Sequence, residues 1–242
     1  MKSSTEYQSI SRRPAGRAGF TLIELLVSIG IIAVLTTLLF AAFPSVQRSV
    51  NNVRCVSNLK QIGTGLAMYC TENNNMLPGP LLPSQGPRYN TVTGPYGGPY
   101  AAYLADYLFP FLSIPTPSSG GLPTLVDARH MAPMFYCPEF ANFAKDGFAN
   151  PYFIRWKITG MGNMPPWGSY GTTTPQYPIN LLTIPNRSLN WAICDLDQKS
   201  PDLPSQSWYS SIPTAPIHPG GLRNALFFDW HVAKIDDQGT PR

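Results

Sequence analysis

Charge is scarce in this chain. Asp, Glu, Lys and Arg make up 12% of its 242 residues, about half the share of an average soluble domain. The formal net charge of +4 does not point to nucleic acid. The first nineteen residues hold Lys2, Arg12, Arg13 and Arg17 against Glu6, a net of +3, which leaves +1 for the remainder. No basic stripe is left to neutralise a phosphate backbone, so no nucleic-acid partner is expected. No two of the cysteines Cys55, Cys70, Cys137 and Cys194 form a Cys-x-x-Cys pair, so their spacing offers no zinc site. No Ser or Cys stands in a nucleophile elbow or a dyad motif, and enzymatic activity is not expected. No internal repeat is evident. Long regular elements are excluded from much of the chain, because 26 prolines and 20 glycines impose turns and irregular segments.

One long hydrophobic run is present. Residues 1–19 are polar, basic and rich in Ser and Arg, whereas residues 20–43 are apolar apart from one charge, Glu24. As a helix, that run would measure about 36 Å, enough to cross a bilayer core. The arginines before it place the N-terminus on the cytoplasmic side by the positive-inside rule, and the rest of the chain across the membrane. An ordinary secretory signal has a shorter apolar core, of about 7–15 residues, and an Ala-x-Ala-like cut site. Pro44 is expected to kink the helix. Beyond it, Cys55, Leu59, Ile62, Leu66 and Tyr69 form one apolar stripe, with Arg54, Lys60, Gln61 and Glu72 off it. Asn73-Asn74-Asn75 followed by Pro78 marks the stop, because Asn tolerates the left-handed cap conformation. The spacing thus predicts one helix from about 20 to about 74, with 44–77 as the amphipathic continuation of 20–43.

Residues 78–242 read as a loop-rich globular body. Pro, Gly, Tyr and Ser dominate 78–188, with a short helix expected near Ala101–Phe111. Leu189–Ile193 reads as a strand, and Ala225–Phe228 and His231–Ile235 as a hairpin turning at Asp229-Trp230. A helix first and antiparallel strands afterwards predict an α+β fold.

The segment Gly19-Phe20-Thr21-Leu22-Ile23-Glu24-Leu25-Leu26-Val27 closely resembles the cleavage and methylation motif of prepilins and type II secretion pseudopilins. The resemblance implies a pilin-like fold, with the long helix packed on a small antiparallel sheet. It implies removal of residues 1–19 by a prepilin peptidase between Gly19 and Phe20, and N-methylation of Phe20. The product would be a single-pass inner-membrane subunit that assembles with other pilin or pseudopilin subunits into a type IV pilus or a type II secretion pseudopilus. Glu24 fits this physically. A carboxylate near the start of a lipid-embedded helix costs some kcal/mol and usually has a partner. Cleavage creates one, the amine of Phe20 on a neighbouring subunit.

A second segment, Arg54-Cys55-Val56-Ser57-Asn58-Leu59-Lys60-Gln61-Ile62-Gly63, resembles the C-x-x-N-L-K-Q-I-G stretch of a large bacterial prepilin-like family of planctomycete type. Phe135-Tyr136-Cys137-Pro138 resembles that family's mid-chain Cys-Pro. His218-Pro219-Gly220-Gly221, Asn224, Leu226-Phe227 and Asp229 resemble its C-terminal processing-associated element. Trp230 stands where the family has Gly, so a turn of another type, or a bulged one, is expected.

Other candidates remain beside these. Cys55 and Cys70 lie about 22 Å apart on one helix and cannot bond to each other. Any disulfide would join the helix to the body, through Cys137 or Cys194, with Cys55 and Cys137 as the candidate pair. Cys137 is preferred because Pro138 stiffens its backbone and the strand at Cys194 tends to bury its thiol. Four free thiols are the alternative. Asp195, Asp197 and Asp202 form an acidic loop whose hard oxygens would suit calcium, although the spacing is not an EF-hand and a solvated loop is the plainer reading; no other cofactor is expected. His218, Asp229 and His231 are close enough in sequence for a metal or acid–base site, against the plainer reading of polar hairpin residues. Trp156, Trp167, Tyr170 and Tyr177 could stack on sugars or on a partner protein, or simply pack a core. A pilin-anchored extracytoplasmic binding module is therefore the alternative to a structural subunit.

Overall fold

The structure, a computed structural model, describes residues 20–87, 103–113, 132–158, 160–162, 165–169, 176–203 and 205–242, with backbone alone at 41 and 42. The leader, Gly19 and Tyr170 lie outside these residues. The chain divides into two compact units, one ending at Pro44 and the other spanning Ser45–Arg242.

Helix α1 spans Leu22–Glu72, with Pro44 inside it. Its end is a left-handed turn, as the Asn run implies. Asn74 and Asn75 take positive φ values of 53° and 60°, and Asn75 N–H donates back to the Cys70 carbonyl at 2.7 Å, the six-to-one bond of a Schellman ending. In the first unit, Leu22–Phe40 is long and apolar enough to cross a membrane. Its side chains are exposed on every face, Leu22 at 88% and Phe40 at 78%.

In the second unit, the helix buries Asn51, Cys55, Leu59, Ile62, Leu66 and Cys70. Tyr69 is only partly buried and Cys70 takes the inner position, because four-residue steps continue the stripe where a three-residue step was expected. Arg54, Lys60, Gln61 and Glu72 are exposed. Gly63 lets the helix come close to the sheet, since a Cβ there would lie 2.8 Å from Leu226 Cδ1.

The sheet has five antiparallel strands in sequential order: β1 Ser84–Gln85, β2 Tyr152–Ile154, β3 Trp191–Asp195, β4 Arg223–Phe227 and β5 Val232–Ile235. Its alternating residues feed two cores. Tyr152, Ile154 and Leu226 cluster with Leu59, Ile62 and Leu66 of the helix. Phe153, Trp191, Cys194, Ala225 and Phe227 cluster with Phe140, Leu196 and Ile212 from the segments that cover the other face. Because both faces are covered, β3 and β4 are buried along their whole length.

Three expectations shift. The strand read at Leu189–Ile193 lies two residues later. Leu189 is exposed and Asn190 closes a turn, its side chain donating to the Pro185 carbonyl at 2.8 Å. The acidic end of β3 stays in the sheet because Asp195 Oδ2 accepts from Asn224 N–H on β4 at 2.7 Å. The helix expected at Ala101–Phe111 is the short α2, Leu104–Leu108. The hairpin loop is Phe228–Trp230 and not Asp229-Trp230 alone. Trp230 N–H donates to the Phe227 carbonyl, and Phe227 N–H to the His231 carbonyl, each at 2.9 Å. That is a turn followed by one residue in the left-handed region, and Trp230 occupies it at φ 71°. The glycine-like conformation is thus kept without glycine, at a cost of about 1–2 kcal/mol. Packing of the indole against the helix-side core offsets it.

Candidate functional site

At the start of α1, Thr21 and Glu24 form a reciprocal cap. Thr21 N–H and Oγ1–H donate to Glu24 Oε2 at 2.9 and 2.8 Å, and Glu24 N–H donates to Thr21 Oγ1 at 3.3 Å. This is a capping box, with Thr21 as N-cap and Glu24 at the third helical position. Thr21 was missed as a participant, although the Thr-x-x-Glu spacing carries the signal. The negative carboxylate also sits at the positive end of the helix dipole. Phe20, exposed, directly precedes the cap.

The second cluster lies on the loop side of the sheet. Cys55 of α1 is joined to Cys137, 82 residues away, with Cα atoms 5.5 Å apart. Cys137 immediately precedes helix α3, Pro138–Ala141, with Pro138 at its first turn. Cys70 and Cys194 are free, buried thiols. Burial pushes the Cys70 thiol up to about 11, so neither its thiolate nor its reactivity is favoured at neutral pH.

His218 is buried against the bridge, its Nε2 3.8 Å from Cys137 Sγ and 3.2 Å from Asp195 Oδ2. Burial disfavours the charged imidazole, but the neighbouring Asp195 carboxylate outweighs this and holds its pKa above the ordinary histidine value. Among the described residues, Asp195 Oδ1 and His218 Nδ1 are buried without hydrogen-bond partners. Gly220 and Gly221, just after His218, take φ values of 90° and 67°, which explains the Gly pair. Asn224 ties this region to the helix, Nδ2 donating to Asn52 Oδ1 at 3.0 Å. Asn51 Nδ2 likewise donates to buried Glu139 Oε2 at 2.9 Å.

The proposed trios do not assemble. His218 pairs with Asp195, while His231 pairs with Asp229 near the surface and stacks on Phe227 at 4.3 Å. The hairpin reverses the chain, so residues close in sequence face different surroundings. Among the described residues, Asp195, Asp197 and Asp202 do not form a group that could hold a metal ion. Asp197 accepts from fully buried Arg223 on both oxygens, at 2.6 and 2.7 Å, so the internal cation is a guanidinium. Asp202 is exposed. Of the aromatics, Trp167 is core, stacked on Phe228 at 5.6 Å, Trp156 is half-buried and Tyr177 is exposed.

Residues 14–40 match the family model of the prokaryotic N-terminal methylation motif. No curated protein and no solved structure matches the chain.

Proposed function

We propose that this prepilin-like chain, anchored by a single apolar helix behind an N-terminal methylation motif, is a structural subunit of a type IV pilus or a type II secretion pseudopilus. The observation that carries the reading is the span Leu22–Phe40, apolar and exposed on all sides among the described residues, with one carboxylate near its start. A prepilin peptidase removes residues 1–19 between Gly19 and Phe20, and Phe20 is methylated. The basic leader keeps that end in the cytoplasm, and the body lies outside, where a disulfide persists. The role is assembly, without enzymatic turnover.

Glu24 has two tasks in this reading. In the single chain it closes the cap with Thr21. In the assembly it meets the Phe20 amine of a neighbour and sets the axial register. Glu24→Gln separates the two, because Gln still completes a capping box but carries no charge. Intact mass should find Phe20 as the mature N-terminus, with one added methyl. Crosslinking in membranes should show shorter oligomer ladders for Glu24→Gln at unchanged membrane insertion. An uncut leader refutes the processing, and ladders equal to wild type reduce Glu24 to a helix cap.

A second reading, a pilin-anchored binding module, has one observation in its favour. A cleft of about 620 Å³ in the body is lined by Tyr103, Phe148, Asn150, Gln206 and Trp208 among others, a mixture of rings and amides that suits a glycan.

A further inference from the structure

We propose that Cys55, Cys137, His218 and Asp195 form a zinc-class divalent metal site when the chain is reduced, so that disulfide and metal are alternative fastenings of helix α1 to the body. Sequence spacing could not reveal it, since the four ligands come from α1, the approach to α3, the end of β3 and the loop before β4.

Three of the four ligands already lie together, and Asp195 stands beside the third. A zinc ion with ligand distances of about 2.3 Å to sulfur and about 2.0–2.2 Å to nitrogen and oxygen needs ligand–ligand edges of about 3.3–3.8 Å. His218 Nε2 lies 3.8 Å from Cys137 Sγ and 3.2 Å from Asp195 Oδ2. One ligand atom each from Cys55, Cys137 and His218 falls within 4.8 Å of the others. Opening the bond between the sulfurs lets them part to ordinary van der Waals separation, a fourth edge, and Asp195 must turn towards them to close the last two. All four side chains are buried, so a bound ion would be shielded from water.

A disulfide by itself does not call for these neighbours. It is apolar and is served by apolar packing, whereas burying a histidine and an aspartate beside it costs several kcal/mol of desolvation. Among the described residues the pair is left incomplete, with Asp195 Oδ1 and His218 Nδ1 unpartnered. A metal would use the spare carboxylate oxygen of Asp195. Asp195 can turn a carboxylate oxygen to the ion while Asn224 N–H holds its Oδ2, the kind of outer support that metal-ligating carboxylates receive. On an imidazolium, Nδ1 already carries its proton, so replacing the Nε2 proton by a metal leaves no new orphan.

The chemistry balances with a dithiol as reductant. The dithiol gives two electrons and two protons to the protein bridge and becomes a disulfide, leaving Cys55 and Cys137 as thiols. The metal then displaces one proton from each thiol and, where His218 is charged, the one on Nε2.

The test uses the mature full-length chain in detergent, reduced anaerobically with a phosphine, and Co²⁺ as the probe. The expected result is one equivalent bound, with thiolate-to-cobalt absorption in the near-ultraviolet and tetrahedral bands in the red, both bleached by Zn²⁺. The oxidised chain should show neither. Zn²⁺ should raise the Tm of the reduced chain alone. His218→Ala should weaken Co²⁺ at least tenfold, and Asp195→Asn should alter the red bands. The double variant Cys70→Ser/Cys194→Ser should bind as wild type. Circular dichroism reports whether each variant is folded. A folded, reduced wild type without the thiolate band overturns the proposal. So does a reduced chain that neither folds nor takes up Co²⁺, or a folded His218→Ala with undiminished affinity.

Discussion

Helix α1 carries two apolar surfaces of different kinds. From Leu22 to Phe40, apolar side chains are exposed all the way round. From Cys55 to Cys70, a stripe is buried in the body while Arg54, Lys60, Gln61 and Glu72 remain exposed. An apolar stripe on a helix points to a partner on one side, here the chain's own sheet. An apolar surface on all sides points to surroundings the chain does not supply, lipid or other helices. The same secondary structure thus serves folding in one half and anchoring in the other.

The contrast can be broken experimentally. The largest effect is expected from the bridge. Cys55→Ser should lower the stability of the body by about 4.5 kcal/mol, the chain-entropy value for a loop of this length, as read by urea unfolding without reductant. Arg223→Ala leaves Asp197 buried without its cation and should cost about 3–5 kcal/mol. Arg223→Met removes the charge but leaves the same unpaired aspartate, so it should not rescue.

Leu59→Ala and Leu26→Ala put the two halves of α1 side by side. Leu59 is fully buried, and its truncation should cost about 2–5 kcal/mol. Leu26 is exposed, and its truncation should leave the unfolding midpoint of the body unchanged. A shift at Leu26 as large as at Leu59 would end the distinction. Gly63→Ala should cost about 1–3 kcal/mol, because the new methyl meets Leu226 in a packed core.

The smallest effect concerns pH. The folded pKa of His218 is raised, so the stabilisation from its pair with Asp195 is complete below the unfolded value of about 6.5. It is lost as pH rises through the higher folded value. Tm against pH should fall across that window in wild type and be flatter in His218→Gln.

Legibility followed the range of the interactions. The helix, its Asn-rich stop and the capping-box spacing of Thr21 and Glu24 depend on residues within a turn or two of each other, and local pattern carries them. The C-terminal strands were legible as strands but displaced. Asp195 at the end of β3 read as loop because its hydrogen bond to Asn224 lies on another strand, 29 residues away in sequence.

What the sequence determined by itself was therefore the anchor and the plan: a methylation motif at residues 14–40, an apolar run long enough to cross a membrane, and an α+β body behind an amphipathic helix. Hydrophobic periodicity and charge placement are one-dimensional properties, and they survive without coordinates. Only the tertiary structure decided which polar residues meet. It paired His218 with Asp195 and not with Asp229 or His231, gave Asp197 to Arg223, and brought Cys55, Cys137 and His218 to one buried point. Those encounters are set by how helix, sheet and loops pack, and burial makes each of them either paired or costly. Neither fact is written in the spacing of the residues along the chain.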